Sequence, residues 1–254
     1  GTRGSRLALA QTEKVISLLA DHGIPATYEI ITTQGDTTTG VPLHEIGGQG
    51  VFVRALDDAI LCGRIDCAVH SMKDIPAYRP TGLVTSAILK RDAPNDFLAF
   101  QCQRDAIQVI GTSSTRRRAQ MLRYHPDLTI KDLRGNVDTR LRKLNDREYD
   151  AILLAEAGIE RLGLNVDGEP LDPKKFIPSP NQGTVAVVCR EDPSLMEMLS
   201  LIDHHGTRND VMIERMVMFE LGGGCFTPLG IYCRNGHLVA EVLSLDGKRV
   251  ERIE

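Results

Sequence analysis

Short apolar runs alternate along this chain with segments whose apolar residues recur at helical spacing. The runs predict β-strands at 27–33, 66–71, 82–89, 107–114, 128–135 and 184–190, and a strand followed by a helical turn at 149–158. Helices are predicted at 51–62, 115–124 and 136–144, the first with one apolar face: Val51, Ala55, Leu56 and Ala59. Strands that alternate with helices in this way are typical of an α/β fold.

Two changes of pattern divide the chain. Charged residues and Pro94 accumulate at 90–95, which predicts a domain boundary there. Later, a capping-box spacing at Thr207 predicts the start of a helix, and the turns at 235–236 and 246–247 predict a small antiparallel sheet. One face of that helix would carry Met212, Met216 and Phe219. We therefore predict three domains: 1–92 with 183–202, 93–182, and 203–254.

Composition indicates a globular protein with a substantial core. The 254 residues are 42% hydrophobic and 25% charged, and no run of 18 apolar residues predicts a membrane span. The first residues lack the apolar core of a signal peptide. Six cysteines form no CxxC pair, which favours reduced thiols. We expect a cytoplasmic protein.

Arginine is unevenly used and unevenly placed. The chain has 22 Arg against 8 Lys, and nine of the Arg lie between Arg116 and Arg161, although the net charge is -4. Because the guanidinium fork pairs with carboxylates and phosphates, this concentration favours a discrete anionic ligand; a bias toward Arg codons is the alternative. A nucleic-acid surface would bring a basic pI and stacking aromatics, whereas the pI is about 6.0 and aromatics are 4%.

Several junctions between strands and helices carry hydroxyl and Arg side chains suited to anions. In "VIGTSSTRRRAQ" a strand runs into a helix start, where free backbone N–H groups and the positive helix end attract anions. The alternative is an ordinary N-cap with a solvated basic first turn. The candidates at this and the similar junctions are Arg3, Ser5, Thr112, Ser114, Arg116, Arg117, Arg134, Arg140 and Arg161. Together they favour a ligand with several separate negative groups.

Two other segments suggest chemistry. "HSMKDIPA" places Lys73 and Asp74 after a strand; they are either a surface pair or, in a cleft rich in Arg, a carboxylate that steadies a developing positive charge. "LGGGCFTPLG" places Cys225 on bare backbone, either as an inert buried thiol or as a presented one. We expect His70 to be structural. The remaining histidines lack metal-ligand spacing, so no metal site is predicted.

Five motifs occur in an order that resembles one enzyme family. "HSMKDIP", "GTSSTRRRAQ", "LRGNVDTRL", "AILLAEAGIERLG" and "GGGCFTPLG" resemble the hydroxymethylbilane synthases, also called porphobilinogen deaminases, across essentially the whole chain. The resemblance implies an α/β fold of two domains like type II periplasmic binding proteins, with a third small α+β domain. Where the family often has Lys in a glycine-rich loop, this chain has Gln49.

The same resemblance implies roles for individual residues. It implies a dipyrromethane cofactor joined by a thioether to Cys225, with Asp74 as the catalytic carboxylate. The residues implied to bind the carboxylates of cofactor and growing chain are Arg3, Ser5, Ser71, Lys73, Thr112, Ser114, Arg116, Arg117, Arg134, Arg140, Arg161 and Gln182.

The implied reaction is a group transfer in tetrapyrrole and heme biosynthesis. Four porphobilinogen molecules lose ammonia and are joined head to tail on the primer, and hydroxymethylbilane is released. We expect a monomer that binds porphobilinogen and neither nucleic acid nor membrane. A non-catalytic anion-binding protein of the same architecture is the main rival, but it leaves "GGGC" and Asp74 without a role.

Overall fold

The computed structural model describes residues 1–33, 50, 53–76, 78–222 and 227–254. The chain forms two compact units, one made of Gly1–Asp92 and Thr184–Met212 and the other of Ala93–Gly183 and Ile213–Glu254. Helices alternate with strands over most of this length, so the predicted α/β class is confirmed. The finer division into three domains stays a prediction.

The described elements are named here in chain order. The strands are β1 (Cys67–Ser71), β2 (Leu83–Ile88), β3 (Asp96–Phe100), β4 (Val109–Gly111), β5 (Thr129–Lys131), β6 (Ala151–Ala155), β7 (Gly168–Pro170), β8 (Val185–Arg190), β9 (Leu229–Arg234), β10 (His237–Leu243) and β11 (Val250–Ile253). The helices are α1 (Arg6–Asp21), α2 (Arg54–Leu61), α3 (Thr115–Tyr124), α4 (Val137–Asn145), α5 (Glu156–Arg161), α6 (Pro193–Ser200) and α7 (His205–Glu220). Short 3-10 turns lie at Met72–Asp74 and Arg104–Ala106.

The first unit is built on an antiparallel sheet of order β1-β8-β2. Strand β8 lies in the middle because nearly its whole length is apolar and buried. Alternate residues of β1 face opposite sides: Val69 packs with Leu19 of α1, and Ala68 packs with Leu56 of α2. This alternation is the ordinary period of a strand, and it decides which helix each β1 side chain meets.

The second unit contains a five-stranded sheet of order β5-β4-β6-β3-β7. Strands β4, β5 and β6 run parallel, and β3 pairs antiparallel with β6 and β7. The carboxyl ends of the parallel strands therefore lie at one edge of the sheet, where open α/β sheets bind ligands. Residue Leu153 of β6 packs on one face and Ile152 on the other.

A second sheet in this unit has the order β11-β10-β9 and is antiparallel throughout. The predicted turn between β9 and β10 is confirmed: Asn235 and Gly236 have φ values of 53° and 79°, the backbone that a two-residue hairpin of the primed type needs. The other predicted turn, at 246–247, joins β10 to β11, with Gly247 at φ 72°.

Two predictions of elements were wrong. Residues 27–33 form no strand of a sheet: an isolated bridge joins Ile30 to Thr2, and the Ile30 side chain is half exposed. Helix α7 begins at His205 instead of Thr207, because the His204 Nδ1 atom accepts the Thr207 N–H at 3.1 Å and caps the helix earlier. Of the predicted 51–62 helix, residues 51 and 52 lie outside the described part.

Candidate functional site

A pocket in the first unit brings together several of the predicted site residues. Its cavity volume is about 70 Å³. The lining residues are Arg3, Ser5, Leu7, Ala8, Gln11, Val53, Val69, His70, Ser71 and Asp74. Basic, hydroxyl and carboxylate side chains thus share one wall with apolar ones.

The N-terminal segment reaches the pocket through a buried anchor. Thr2 is fully buried, donates its N–H to the Glu29 carbonyl at 3.0 Å and accepts from the Ile31 N–H at 2.8 Å. Ser5 is the N-cap of α1, where its hydroxyl accepts the Ala8 N–H, as small hydroxyl residues at this position do. Arg3 lies between these two fixed points.

Asp74 stands on a turn that is fixed on both sides. The Met72 N–H donates to the Thr184 carbonyl at 2.9 Å, and the Ile75 N–H donates to the Met72 carbonyl at 3.2 Å. Both Met72 and Ile75 are buried, whereas Asp74 is partly exposed toward the pocket. Lys73 lies on the same turn, but the described pocket is lined without it. The backbone therefore holds the Asp74 carboxylate in one place.

Gln11 is a pocket residue that the sequence analysis missed. It is 3% exposed, and its Nε2 donates to Ser71 Oγ at 2.9 Å. The bond joins α1 to the end of β1 and orients the Ser71 hydroxyl at the pocket wall. A polar residue in the apolar stripe of α1 was the available signal, since such residues need a buried partner.

Thr112 and Ser114 form the predicted junction between β4 and α3. Thr112 is 2% exposed, and its hydroxyl accepts the Ser114 N–H at 3.2 Å. The Ser114 hydroxyl caps α3 by accepting the Arg117 N–H. Between them, Ser113 joins this junction to the next strand end through its hydroxyl and the Leu133 carbonyl, at 3.0 Å.

The two arginines that begin α3 converge on a carboxylate that the sequence analysis missed. Asp96 is fully buried and accepts from Arg116 Nη1 and from Arg117 Nη2, each at 2.6 Å. Arg116 Nη1 also donates to the Ile177 carbonyl and Arg117 Nη1 to the Leu153 carbonyl, each at 2.9 Å, whereas Arg116 Nε has no partner among the described residues. Arg116 and Arg117 are thus enclosed in the second unit, at 4% and 6% exposure.

The charges of this cluster set its protonation. Burial alone would raise the pKa of Asp96, but Arg116 and Arg117 outweigh burial and hold that pKa well below its ordinary value. The carboxylate is therefore ionised at neutral pH. Two guanidinium groups and one carboxylate leave the cluster with one net positive charge.

Gln182 and Arg161 also bind within the second unit. Gln182 is 1% exposed, and its Nε2 donates to Asp96 Oδ1 at 3.0 Å and to the Pro94 carbonyl at 2.8 Å. Arg161 Nη2 donates to the Gly183 carbonyl at 2.6 Å. The amide of Gln182 thus belongs to the Asp96 cluster.

Arg140 differs from the α3 arginines. Its Nε donates to the Gly135 carbonyl at 2.7 Å, and no carboxylate pairs with it in the described part of the chain. Burial, and next the positive charge of Arg117, lower the pKa of Arg140 to about 10. Arg134, at the same strand-to-helix junction, is exposed. This junction therefore presents positive charge to an anion.

Some predicted features lie beyond what the structure describes. Cys225 falls in 223–226, and Gln49 falls in 34–49. Among the residues that are described, no group of three or more His, Cys, Asp or Glu could hold a metal ion. Within the same ranges, no helix is both long and apolar enough to cross a membrane.

Comparisons with known proteins point in one direction. A family model described as "Porphobilinogen deaminase, dipyromethane cofactor binding domain" matches residues 1–198. The chain is 54% identical over its whole length to a probable porphobilinogen deaminase of Methanosarcina acetivorans, of which it covers 84%. It is 44% identical to the porphobilinogen deaminase of Geobacillus kaustophilus, with 98% of this chain and 85% of that protein aligned.

A solved structure with a partly similar fold is that of a putative methionine-binding lipoprotein from Bacillus subtilis. The two are 11% identical, the alignment covers 82% of this chain and 90% of that one, and the TM-score is 0.46.

Proposed function

The chain belongs to the porphobilinogen deaminase family, and from that premise we propose how its own residues carry out the family's reaction. The reaction joins four porphobilinogen molecules head to tail on a dipyrromethane primer, with loss of ammonia, and releases hydroxymethylbilane. The chain is accordingly a transferase of tetrapyrrole biosynthesis. The observation that carries the residue roles is the pocket shared by Arg3, Ser5 and Asp74.

The side chains present fit a dipyrromethane group. Such a group offers carboxylate arms and pyrrole N–H donors, so it needs cationic or hydroxyl donors and at least one acceptor. Arg140 has no carboxylate partner in the described part of the chain and lies within reach of the Arg117 charge. In the other unit, Arg3 and Ser5 supply donors and Asp74 supplies an acceptor. Both requirements are met by residues already in place.

Substrate binding falls to the donors of the first unit. Arg3 and the Ser5 hydroxyl bind a carboxylate arm of porphobilinogen, because a guanidinium group pairs with carboxylates through charge-assisted hydrogen bonds. The Ser71 hydroxyl, held by Gln11, contributes a further polar contact. These contacts orient the pyrrole ring in the pocket before any bond changes.

Asp74 acts on the substrate's charge. As ammonia leaves porphobilinogen, positive charge develops on the pyrrole, and a fixed carboxylate beside its N–H stabilises that charge. The buried neighbours Met72 and Ile75 keep the carboxylate in position, so little reorganisation accompanies the step. When bound, the dipyrromethane group supplies the carbon nucleophile through the free α-position of its terminal pyrrole.

The second unit has carboxylate-binding residues of its own. We propose that Arg134 and Arg140 pair directly with carboxylate arms of the cofactor and growing chain. Arg116 and Arg117 are proposed to act mainly through the net positive charge of the Asp96 cluster, because most of their donors already have partners in the protein. The proposed binding set also includes Thr112, Ser114, Lys73, Arg161 and Gln182. Gln182 contributes indirectly, through its hydrogen bond to Asp96.

Cys225 is proposed to anchor the dipyrromethane group through a thioether. Support comes from the sequence, in which three glycines without side chains directly precede it. We also propose that the protein is a monomer and that it resides in the cytoplasm. The second proposal is in keeping with the absence of a disulfide at the described cysteines, which are Cys62, Cys67, Cys102, Cys189 and Cys233.

The experiment combines intact mass with turnover. The purified protein should exceed its sequence mass by two deaminated pyrrole units, release ammonia from porphobilinogen and form a product that closes to uroporphyrinogen I. Cys225→Ser should lack both the mass increment and the activity, whereas Cys62→Ser, at an exposed thiol, should keep both. An active preparation at the unmodified mass would rule out the covalent cofactor, and absence of ammonia release from a loaded protein would rule out the function.

A further inference from the structure

His70 lines the same pocket, but the roles proposed above do not use it. It lies on β1, is 5% exposed, and its Nε2 atom is buried without a hydrogen-bond partner in the described part of the chain. Buried polar atoms are nearly always paired, so an unpaired one calls for an explanation. A histidine with a purely structural role would be expected to hydrogen-bond to a backbone carbonyl or a side-chain hydroxyl of the protein.

The protonation state of His70 defines what it can offer. Burial, and next the charge of Arg79, lower the pKa of His70 to about 3. The ring is therefore neutral at physiological pH, with one N–H to donate and one nitrogen to accept. Which nitrogen carries the proton is set by the partner that the ring meets.

The surroundings of His70 favour an anionic partner. The charges of Arg79 and Arg3 both act on the ring. Arg79 pairs with Asp57 of α2 through Nη2, but its buried Nε and Nη1 atoms have no partner in the described ranges. Asp74 is the carboxylate at the pocket wall. Arg79 and Arg3 thus place positive charge around the ring, which favours a negatively charged partner such as a carboxylate.

We propose that His70 is a substrate-binding residue that donates its imidazole N–H to a carboxylate arm of the bound pyrrole. This inference rests on the proposed function, since it names a further contact in the same pocket. The contact positions the substrate and does not touch the reacting carbon. It also provides a hydrogen-bond partner for the ring nitrogen Nε2, which has none among the described residues.

A structural role and a binding role predict opposite effects on stability. If the ring serves the substrate, replacing it with an apolar side chain of similar size removes an unsatisfied buried group, so the melting temperature should stay level or rise. If the ring is needed by the fold, the same change should lower the melting temperature and leave KM untouched in the molecules that remain folded.

The kinetic test uses the holoenzyme and three variants. His70→Leu removes the donor, His70→Gln keeps a side-chain N–H, and His22→Gln changes an exposed histidine as the control. For His70→Leu we expect KM for porphobilinogen to rise roughly 10- to 100-fold with little change in kcat, the range for a lost hydrogen bond to a charged group. His70→Gln should recover much of that loss, and His22→Gln should match the wild type.

A binding measurement on the wild type keeps the inference testable even if a variant does not fold. The probe is the pyrrole that carries the acetate and propionate arms of porphobilinogen but hydrogen in place of the aminomethyl group, so that it cannot react. Adding it should shift the ring-nitrogen NMR signals of His70, and its dimethyl ester should not.

The outcomes separate the two proposals. Unchanged KM in His70→Leu, or an unmoved His70 signal at saturating diacid, overturns the role of His70 while the function stands. A wild-type holoenzyme that neither binds the diacid nor releases ammonia from porphobilinogen overturns the function itself.

Discussion

Arginine side chains of two kinds occur in the second unit. Arg116 and Arg117 share the buried Asp96 carboxylate and are almost fully enclosed. Arg140 has a single backbone acceptor and no carboxylate within the described ranges. Removing one partner of a buried guanidinium is costly, because it leaves an uncompensated buried charge. A guanidinium without a carboxylate is open to one supplied by a ligand.

The difference between Arg140 and the arginines paired with Asp96 predicts that substitutions at the two places affect different properties, cofactor loading in one case and stability in the other. Arg140→Gln removes a positive charge that no carboxylate of the described residues balances, together with the hydrogen bond to Gly135. The free energy of unfolding should therefore fall by only about 1 kcal/mol, while cofactor loading should fall severely. Asp96→Asn should instead cost roughly 3–5 kcal/mol, because two buried guanidinium groups lose their partner. Urea unfolding and intact mass report the two effects.

A matched control lies on the same helix. Arg142→Gln, at an exposed position of α4, should alter neither stability nor loading. Full loading of Arg140→Gln would show that this arginine does not contact the cofactor.

Asp74 allows a charge to be removed with little change of shape. Asp74→Asn should fold normally, since the carboxylate is partly exposed, but single-turnover ammonia release should fall roughly 100- to 1000-fold. Asp74→Glu should retain more activity because the charge is kept, and Lys73→Gln should be milder still. Asp21→Asn, at an exposed residue of α1, is the control. Wild-type ammonia release by loaded Asp74→Asn would exclude this carboxylate as the catalytic one.

At the scale of elements, the turn between β10 and β11 packs closely on the helix that carries the buried arginines. Gly247 has a positive φ of 72°, and a Cβ placed on it would come within 2.3 Å of the Ala119 carbonyl oxygen in α3. Gly236, in the neighbouring turn, has φ 79° and nothing within 4 Å. The two glycines share a positive φ, which would strain any other residue, but only Gly247 has close backbone neighbours.

Comparing alanine substitutions at Gly236 and Gly247 measures how much the close packing of Gly247 against α3 contributes to stability. Gly236→Ala should cost about 1–2 kcal/mol, the strain of a left-handed alanine. Gly247→Ala should cost that and about 1–3 kcal/mol more, because backbone atoms of α3 must move. Chemical denaturation of both variants measures the difference. Equal losses would mean that the turn does not press on α3.

At the scale of the whole molecule, buried ionisable groups determine how stability responds to acid. The pKa of His70 is about 3 in the folded chain against an ordinary value of about 6.5. Between these values the unfolded chain binds one more proton, so the free energy of unfolding falls by about 1.4 kcal/mol per pH unit as pH decreases. Asp96 affects stability at lower pH. Its stabilising contribution is present above about pH 4 and is lost as pH falls toward its depressed folded-state pKa.

Comparing the pH 7 to pH 4.5 change in a His70 variant with that in the wild type therefore isolates the contribution of His70, because the other titrating groups are common to both proteins. Relative to the wild type, His70→Leu should lose roughly 2–3 kcal/mol less stability over that interval, measured by urea unfolding without added porphobilinogen. Parallel curves for the two proteins would show that the ring is not buried neutral.

The class of fold, the family and the positions of the strand-to-helix junctions could all be predicted from the amino-acid sequence. Apolar runs such as 184–190 and helix starts such as Ser114 are encoded within a few neighbouring residues, because strand burial and capping depend on local spacing. The motif order likewise sufficed to indicate the family that the comparisons confirm.

The hydrogen-bond and ion-pair partners of the polar side chains, in contrast, are visible only in the folded chain. Asp96 is 20 residues from Arg116, and Gln11 is 60 residues from Ser71, so no local pattern could join them. Nor could spacing show that the Nε2 atom of His70 has no hydrogen-bond partner among the described residues. Ion pairing, burial and pKa depend on which distant residues share a low-dielectric interior, and that is set by the packing of elements across the whole fold.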